Sequence, residues 1–246
     1  MKQHEAVIQV MEENGGFATL GHLYQNVLKL SGCEWKTKTP FASMRRIVQD
    51  ERFFFKIRPG LWALNTWRER LPAEMKPSRK RTIEQDVFTH SYYQGLVVQI
   101  GNLKRLETFV PAQDKNKLFL GSQKLGSLAS LSAIHPFSYP DIVRRAGTID
   151  VVWFNERRMP CSVFEVEHST NIRDSLVKFV ELQDFRTDLY IVADDVRRRQ
   201  FRDTVELSAF RAVRDYVRFM SYEDVSDYHT NISKVAALEG KLDAIG

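Results

Sequence analysis

Acidic residues interrupt two apolar stretches, Thr148-Ile149-Asp150-Val151-Val152-Trp153 and Val163-Phe164-Glu165-Val166-Glu167-His168. The polar segment Asn155-Glu156-Arg157-Arg158 lies between them, so the pattern predicts a β-hairpin with a polar turn. Because side chains alternate between the faces of a strand, Glu165 and Glu167 point to one side and Val166 points to the other. Asp150 on the neighbouring strand is placed to join the two glutamates.

Carboxylates on an apolar sheet are costly unless a partner compensates their charge. A divalent cation is such a partner, and hard oxygen ligands suit Mg²⁺, with Mn²⁺ as the alternative. Strand ends whose carboxylates simply face water are the other interpretation. The position of Asp150 inside an apolar run favours the cation.

The set formed by Asp150 and Glu165-Val166-Glu167 resembles the catalytic signature of the PD-(D/E)xK restriction-endonuclease-like nucleases. In that family an Asp and a second acidic residue hold the metal, and a third residue, usually Lys, helps to activate water. The longer run from Phe164 to Ile172, followed by Leu189-Tyr190-Ile191-Val192-Ala193, is similar to a bacterial branch of the superfamily. The resemblance covers roughly residues 82–237.

The resemblance implies that Asp150, Glu165 and the main-chain carbonyl of Val166 hold Mg²⁺ beside a DNA phosphate. Glu167 occupies the position of the usual Lys and is the first choice to orient or deprotonate the attacking water. His168 is the alternative base, although alternation along the strand points it away from Glu167.

A helix is predicted from Ile83 to Arg105. Superfamily members often carry a Glu on this first helix, and the resemblance implies that Gln99 takes its place. Further along the chain we expect strands over Leu106–Ala112, Leu189–Ala193 and Tyr216–Met220. A helix capped by Ser169 or Thr170 is expected to run through Phe185. A last helix is expected to begin at Ser221. The strand–helix–strand succession after Glu165 predicts a parallel βαβ unit with a right-handed crossover.

Length and composition indicate an ordinary folded protein. The chain has 246 residues, of which 43% are hydrophobic and 27% charged, so one or two domains are expected. It contains no apolar run of about 18 residues, and its start lacks an apolar signal region, so we expect a cytoplasmic protein without a membrane partner. Cys33 and Cys161 are expected to stay reduced.

Positive charge is concentrated in the first third of the chain. Residues 1–83 carry 15 Lys and Arg against 8 Asp and Glu, an excess of +7, whereas residues 84–246 carry 21 against 23, an excess of −2. A basic module beside an acidic one suggests a part that binds a polyanion and a part that binds metal. Ordinary surface charge is the alternative explanation.

The first third predicts three helices followed by a β-hairpin around Pro59-Gly60. Thr19 is a candidate cap for the second helix, and Thr39-Pro40 opens the third. This order is typical of a winged helix-turn-helix. We therefore expect an α+β/α/β protein. A winged-helix domain over residues 1–67 and a linker over 68–81 precede a restriction-endonuclease-like mixed β-sheet flanked by helices over 82–246.

The third helix buries Phe41, Met44, Ile47 and Val48 in this prediction and leaves a polar side open. The tryptophans and basic residues around this helix and the hairpin resemble the HARE-HTH type of winged helix, a family that includes proteins proposed to sense modified bases. The resemblance implies contact with double-stranded DNA. The candidate DNA-binding residues are Lys36, Lys38, Ser43, Arg45, Arg46, Gln49 and Arg58. A winged helix used for protein contacts is the alternative.

Two functions remain open on the sequence. The first is a Mg²⁺-dependent endodeoxyribonuclease of the restriction type, working as a homodimer because one active site cuts one strand. The second is a non-catalytic DNA-binding regulator that keeps a nuclease-like fold. Gln99 and the missing Lys favour the regulator, whereas the complete set of Asp150, Glu165 and Glu167 favours the nuclease.

Overall fold

The computed structural model describes residues 1–76, 82–168 and 171–243. It contains two compact units, of which the first comprises Met1–Gln85 together with Ser226–Gly246 and the second comprises Asp86–Val225. The division of the sequence into domains at residues 67 and 82 stays a prediction. Residues 77–81 of the expected linker lie outside the described residues.

The first unit combines helices with a small antiparallel sheet. Its elements are α1 (Gln3–Glu13), β1 (Phe17–Thr19), α2 (Leu20–Asn26), α3 (Pro40–Ile47), β2 (Phe54–Arg58) and β3 (Leu61–Leu64), and the strand order is β1-β3-β2. The Thr19 hydroxyl accepts the His22 N–H at 3.1 Å, so Thr19 caps α2 as predicted. The sequence did not predict β1, because three residues are too short to show alternation.

Helix α3 buries one face in the core of the first unit. Phe41, Met44 and Val48 are buried as predicted, while Ile47 is only partly buried. The chain returns to this unit at its C-terminal end, where the Ser226 hydroxyl donates to the Pro59 carbonyl at 2.8 Å. The predicted hairpin is confirmed, and Gly60 has the positive φ of 76° that its tight turn requires.

The second unit is built on a five-stranded mixed sheet with helices. The elements, including the two helices that contain a boundary between the units, are α4 (Ile83–Leu103), β4 (Glu107–Phe109), α5 (Leu125–Leu128), α6 (Pro140–Ala146), β5 (Val151–Phe154), β6 (Pro160–Glu167), α7 (Ile172–Val180), β7 (Asp188–Ala193), α8 (Arg198–Val205), β8 (Val217–Ser221) and α9 (Tyr222–Asp243). The strand order is β4-β5-β6-β7-β8. The pairs β4·β5 and β5·β6 are antiparallel, and β6·β7 and β7·β8 are parallel. The expected mixed sheet is thus confirmed.

The central hairpin and the parallel strand after it follow the sequence pattern closely. β5 pairs with β6 in the register Val151↔Phe164, and β6 pairs in parallel with β7. Helix α7 ends at Val180 rather than at Phe185, and its N-cap is Asn171, whose side chain accepts the Arg173 N–H at 3.1 Å. The candidate caps at 169 and 170 lie outside the described residues.

Strand β4 is shorter than predicted, with three residues instead of seven. Arg105 adopts a positive φ of 61° in the turn after α4, and Pro111 has no N–H to donate to a neighbouring strand. Both features restrict regular pairing to the residues between them. Within the described ranges, none of the helices has the length and apolar character needed to cross a membrane.

Candidate active site

Asp150 lies immediately before β5 and faces the middle strand of the sheet. Its Oδ2 accepts the Val166 N–H at 2.8 Å. Extending the register Val151↔Phe164 by one residue puts Asp150 opposite Glu165, and side chains at directly opposed positions are close neighbours. Only 8% of Asp150 and 3% of Glu165 are exposed, so the sheet pairing holds two carboxylates together in the protein interior.

Glu165 and Glu167 lie on the same face of β6, as alternation predicts. The Ser175 hydroxyl on α7 contacts both: its Oγ is 3.1 Å from Oε2 of Glu165, and it also bonds Oε1 of Glu167. Glu167 is buried as well. The two glutamates of β6 therefore share a hydroxyl partner on α7, and the buried Asp150 lies opposite Glu165.

Helix α7 also contributes a lysine that the sequence reasoning missed. Lys178 Nζ donates to Oε1 and Oε2 of Glu165 at 2.8 and 2.9 Å, and to the Thr148 carbonyl at 3.1 Å. Lys178 follows Ser175 by three residues, which places both side chains on one face of the helix. The available signal in the sequence was this spacing on the helix that follows the acidic strand.

The charges of this group are unevenly compensated. Burial raises the pKa of Glu165 well above its usual value, and the Asp150 charge raises it further, while Lys178 opposes the shift. Burial also opposes ionisation of Asp150, but the facing His90 ring, the Val166 N–H and Lys178 together lower the pKa of Asp150. Ionisation is therefore favoured for Asp150 and disfavoured for Glu165.

Helix α4 reaches the site through residues other than the predicted one. His90 Nε2 lies 3.6 Å from Oδ1 of Asp150, and Gln94 Nε2 donates to the Asp150 carbonyl at 2.7 Å. Gln99 is on the same helix but about 140° around its axis from Gln94, at 100° per residue. The face of α4 turned toward Asp150 carries His90 and Gln94, and a place for Gln99 at the carboxylates stays a prediction.

The His168 ring contacts Asp86 and Tyr222. Its Nε2 lies 2.8 Å from Oδ1 of Asp86, and its Nδ1 lies 3.2 Å from the Tyr222 hydroxyl. The side chain is only 7% exposed. Alternation along the chain directs it away from Glu167, so the structure gives His168 a buried, hydrogen-bonded position away from the carboxylate group.

The donor set of the carboxylate group fits a hard divalent cation. Asp150 and Glu165 are buried at opposed positions of the hairpin, and burial together with the Asp150 charge raises the pKa of Glu165. The N–H and C=O of a strand residue project to the same side, so the Val166 carbonyl faces the Asp150 side together with its N–H. Carboxylate and carbonyl oxygens are the ligands that Mg²⁺ and Mn²⁺ accept.

The candidate DNA-binding residues all lie in the first unit, on or near α3 and the hairpin. Lys36, Lys38, Arg45, Arg46 and Gln49 are exposed. Two others are already engaged: the Ser43 hydroxyl donates to the Thr39 carbonyl at 3.3 Å, and Arg58 Nη2 donates to the Gln85 carbonyl at 3.1 Å. Arg45 also lies 3.5 Å from the Asp227 carboxylate.

Comparison with known proteins identifies one family. The family model described as "Type II restriction enzyme NmeDI C-terminal domain" matches residues 70–244, which is more than two thirds of the chain. No curated protein and no solved structure matches the chain significantly.

Proposed function

Because the chain belongs to the family of the Type II restriction enzyme NmeDI C-terminal domain, we propose that it is a metal-dependent DNA endonuclease of the PD-(D/E)xK type that hydrolyses phosphodiester bonds. The observation that carries this proposal is the buried pairing of Asp150 with Glu165, which Lys178 flanks. Two carboxylates and a lysine beside a main-chain carbonyl are the chemical groups that such a reaction needs.

In this mechanism Asp150, Glu165 and the Val166 carbonyl would hold a Mg²⁺ ion, or Mn²⁺ as the alternative. When bound, the ion supplies Lewis acidity toward the phosphate and lowers the pKa of water. Glu167 orients the attacking water and accepts its proton. The Ser175 hydroxyl fixes the carboxylates of Glu165 and Glu167 relative to each other.

Lys178 takes the role that a lysine on the acidic strand has in the commoner sequence pattern. Burial lowers the pKa of Lys178, but the Glu165 carboxylate outweighs this effect and raises it, so the amine stays protonated. A protonated amine beside Glu165 opposes the rise in the pKa of that carboxyl and stabilises negative charge that develops on the phosphate. The apparent lack of a lysine no longer favours a regulator without catalytic activity.

DNA recognition is assigned to the first unit. Its order of helix, strand, two helices and two strands, with an antiparallel sheet, supports the winged helix of the HARE-HTH type. In this reading Arg45, Arg46 and Gln49 on and after α3 contact bases in the major groove, while Lys36 and Lys38 contact phosphates. Arg58 and Ser43 contribute less, because both are engaged within the unit.

Double-stranded DNA is the proposed substrate, and sensing of modified bases is the proposed use of the first unit. One active site hydrolyses one DNA strand, so cleavage of both strands requires a homodimer. The dimer would then present two copies of Asp150 to the duplex, one for each strand.

The test is cleavage of plasmid and genomic DNA, methylated and unmethylated, with Mg²⁺ or Mn²⁺. Asp150→Asn should abolish cleavage and retain DNA binding, since the amide oxygen of Asn still accepts the Val166 N–H but brings no charge. Asp141→Asn is the matched control, because the Asp141 side chain is 90% exposed on α6. Wild-type protein that binds DNA without nicking it under any condition would instead identify the regulator.

A further inference from the structure

A second group of ligand atoms lies on the other side of Asp150. One ligand atom each from His90, Asp114 and Asp150 falls within 4.8 Å of the other two. His90 comes from α4, Asp114 from the turn after β4, and Asp150 from the residue before β5. The group uses the Oδ1 side of Asp150, since Oδ2 is engaged with the Val166 N–H.

Gln94 is an independent indication that this group is incomplete. It is fully buried, and its Nε2 donates to Oδ2 of Asp114 at 2.9 Å and to the Asp150 carbonyl at 2.7 Å. Its Oε1 is buried and has no hydrogen-bond partner among the described residues, and the same holds for His90 Nε2. Unpaired buried polar atoms are costly, and each such atom calls for an explanation.

A cation bound by His90, Asp114 and Asp150 would give the His90 nitrogen a partner, and the Gln94 amide borders the same group through Asp114. An amide oxygen and a deprotonated imidazole nitrogen are electron-pair donors, so His90 loses its proton when the cation binds, and Asp114 and Asp150 add negative charge. Among the described residues near Asp114, Lys117 supplies a positive charge, with its Nζ 2.6 Å from Oδ1 of Asp114. Lys117 is 35% exposed in its side chain, so it can turn toward water when a cation takes its place.

We propose that His90, Asp114, Asp150 and Gln94 form a second divalent-cation site, which takes a cation that accepts nitrogen as well as oxygen. Imidazole ligands suit Zn²⁺ and related divalent transition-metal ions, for which Co²⁺ serves as the probe, whereas Mg²⁺ prefers oxygen ligands. The site shares Asp150 with the proposed Mg²⁺ site and uses none of Glu165, Glu167 and Lys178. Binding at this site does not require DNA cleavage, so it can be tested separately from the proposed function.

The experiment is a titration of the metal-free full chain with Co²⁺, followed by calorimetry and by visible absorption. Wild-type protein should bind Co²⁺ in a step whose spectrum reports a nitrogen ligand. His90→Gln should lose that spectrum and weaken Co²⁺ binding in this step by at least about tenfold. Removal of a residue that merely hydrogen-bonds to a metal ligand already lowers metal affinity by about tenfold or more, so loss of the ligand itself should cost at least as much. Glu165→Gln is the matched control and should keep the step, because Glu165 contributes only to the other site.

Lys117→Met distinguishes a cation site from a merely structural cluster. Removal of the competing amine should strengthen Co²⁺ binding, whereas a structural role for the Lys117–Asp114 pair predicts only a loss of thermal stability.

Equal Co²⁺ affinities and spectra for wild type and His90→Gln would overturn the proposal, as would a wild type with no nitrogen-ligand spectrum. If His90→Gln does not fold, the Glu165→Gln and Lys117→Met titrations decide the matter. If only the proposed function is wrong, the protein binds Co²⁺ at this site but does not cleave DNA.

Discussion

Lys178 Nζ lies 2.8 Å from Oε1 and 2.9 Å from Oε2 of Glu165, across 13 residues of sequence and between two different elements. The amine comes from α7, whereas the carboxylate comes from the middle strand of the sheet. The parallel connection through α7 brings the helix back over the acidic face of β6. A positive charge is thereby held at the buried carboxylates even though the strand itself carries no lysine.

Lys178→Met should remove this charge and with it most of the cleavage activity. Loss of a positioned acid–base or charge-stabilising group costs on the order of 10²-fold to 10⁴-fold in rate. Single-turnover cleavage with saturating Mg²⁺ measures the effect. Arg173→Met is the matched control, since Arg173 is exposed on the same helix. Equal rates for Lys178→Met and wild type would exclude Lys178 from the reaction.

The raised pKa of Glu165 makes the stability of the metal-free protein depend on pH. Its folded state holds a proton more tightly than the unfolded chain, so this contribution is complete below the ordinary value of 4.5 and is lost as the pH rises through the folded pKa. The lowered pKa of Asp150 acts in the opposite direction and only below its ordinary value of 3.8, so it adds no slope in this window.

Urea unfolding between about pH 5 and pH 8 in the presence of a chelator should therefore show that the stability of the wild type relative to Glu165→Gln decreases with pH, by at most about 1.4 kcal/mol per pH unit. Glu165→Gln should lose that part of the slope. Mg²⁺ should restore stability to the wild type most strongly at the high-pH end, because the cation binds the ionised carboxylate. A wild-type profile that matches the Gln variant would contradict the prediction.

Ser175 should affect the metal affinity of the site, because its hydroxyl contacts the Glu165 and Glu167 carboxylates. Ser175→Ala removes the hydroxyl shared by Glu165 and Glu167, and loss of such an outer partner lowers metal affinity or activity by about 10-fold to 100-fold. The Mg²⁺ concentration at half-maximal cleavage should rise accordingly. Ser162→Ala, a buried serine earlier on β6, is the matched control and should leave that concentration unchanged.

The sequence was sufficient for the features that depend on local periodicity. Alternation around Glu165 and Glu167 predicted the face of β6 that carries both carboxylates, and the apolar runs predicted the hairpin and the parallel strand β7. Capping at Thr19 followed from residue type alone. These features are set by neighbours within a few residues or by one strand pairing.

The parts that were missed depend on tertiary contacts that no local pattern contains. His90 and Gln94 approach Asp150 only because α4 packs with one particular face toward β5, and a long helix that is apolar on most sides does not reveal which face that is. The resemblance implied Gln99 on this helix, and its place at the carboxylates stays a prediction. Lys178 was missed because its partner Glu165 is on another element.

His168 should be important for the fold rather than for proton transfer. His168→Gln breaks the contacts with Asp86 and Tyr222 and should cost about 1–3 kcal/mol of unfolding free energy, the range for a buried polar group that loses its partner. The single-turnover rate of the folded protein should stay the same. His135→Gln, which breaks a comparable pair with Glu107 at 2.8 Å, is the control. A rate loss of about 10²-fold for His168→Gln alone would identify His168 as the base.

Arg45 and Asp227 provide the sharpest test of DNA binding by the first unit. Both side chains are more than half exposed and lie 3.5 Å apart, so their pair contributes at most about 1 kcal/mol to stability. Arg45→Ala should weaken DNA binding, whereas Asp227→Asn should strengthen it, because a negative charge beside the arginine repels the duplex. Fluorescence anisotropy at several salt concentrations measures both effects.

The control is Arg52→Ala, since Arg52 is exposed, pairs with Asp50 and lies outside the predicted set of DNA contacts. Unequal effects of Arg45→Ala on different DNA sequences would show that Arg45 reads bases. A uniform loss with a salt dependence reduced by about one charge would show that it contacts a phosphate. If Arg45→Ala and Arg52→Ala bind DNA as tightly as wild type, α3 is not the DNA-binding helix, and the winged-helix proposal is wrong even if the carboxylate group cleaves DNA.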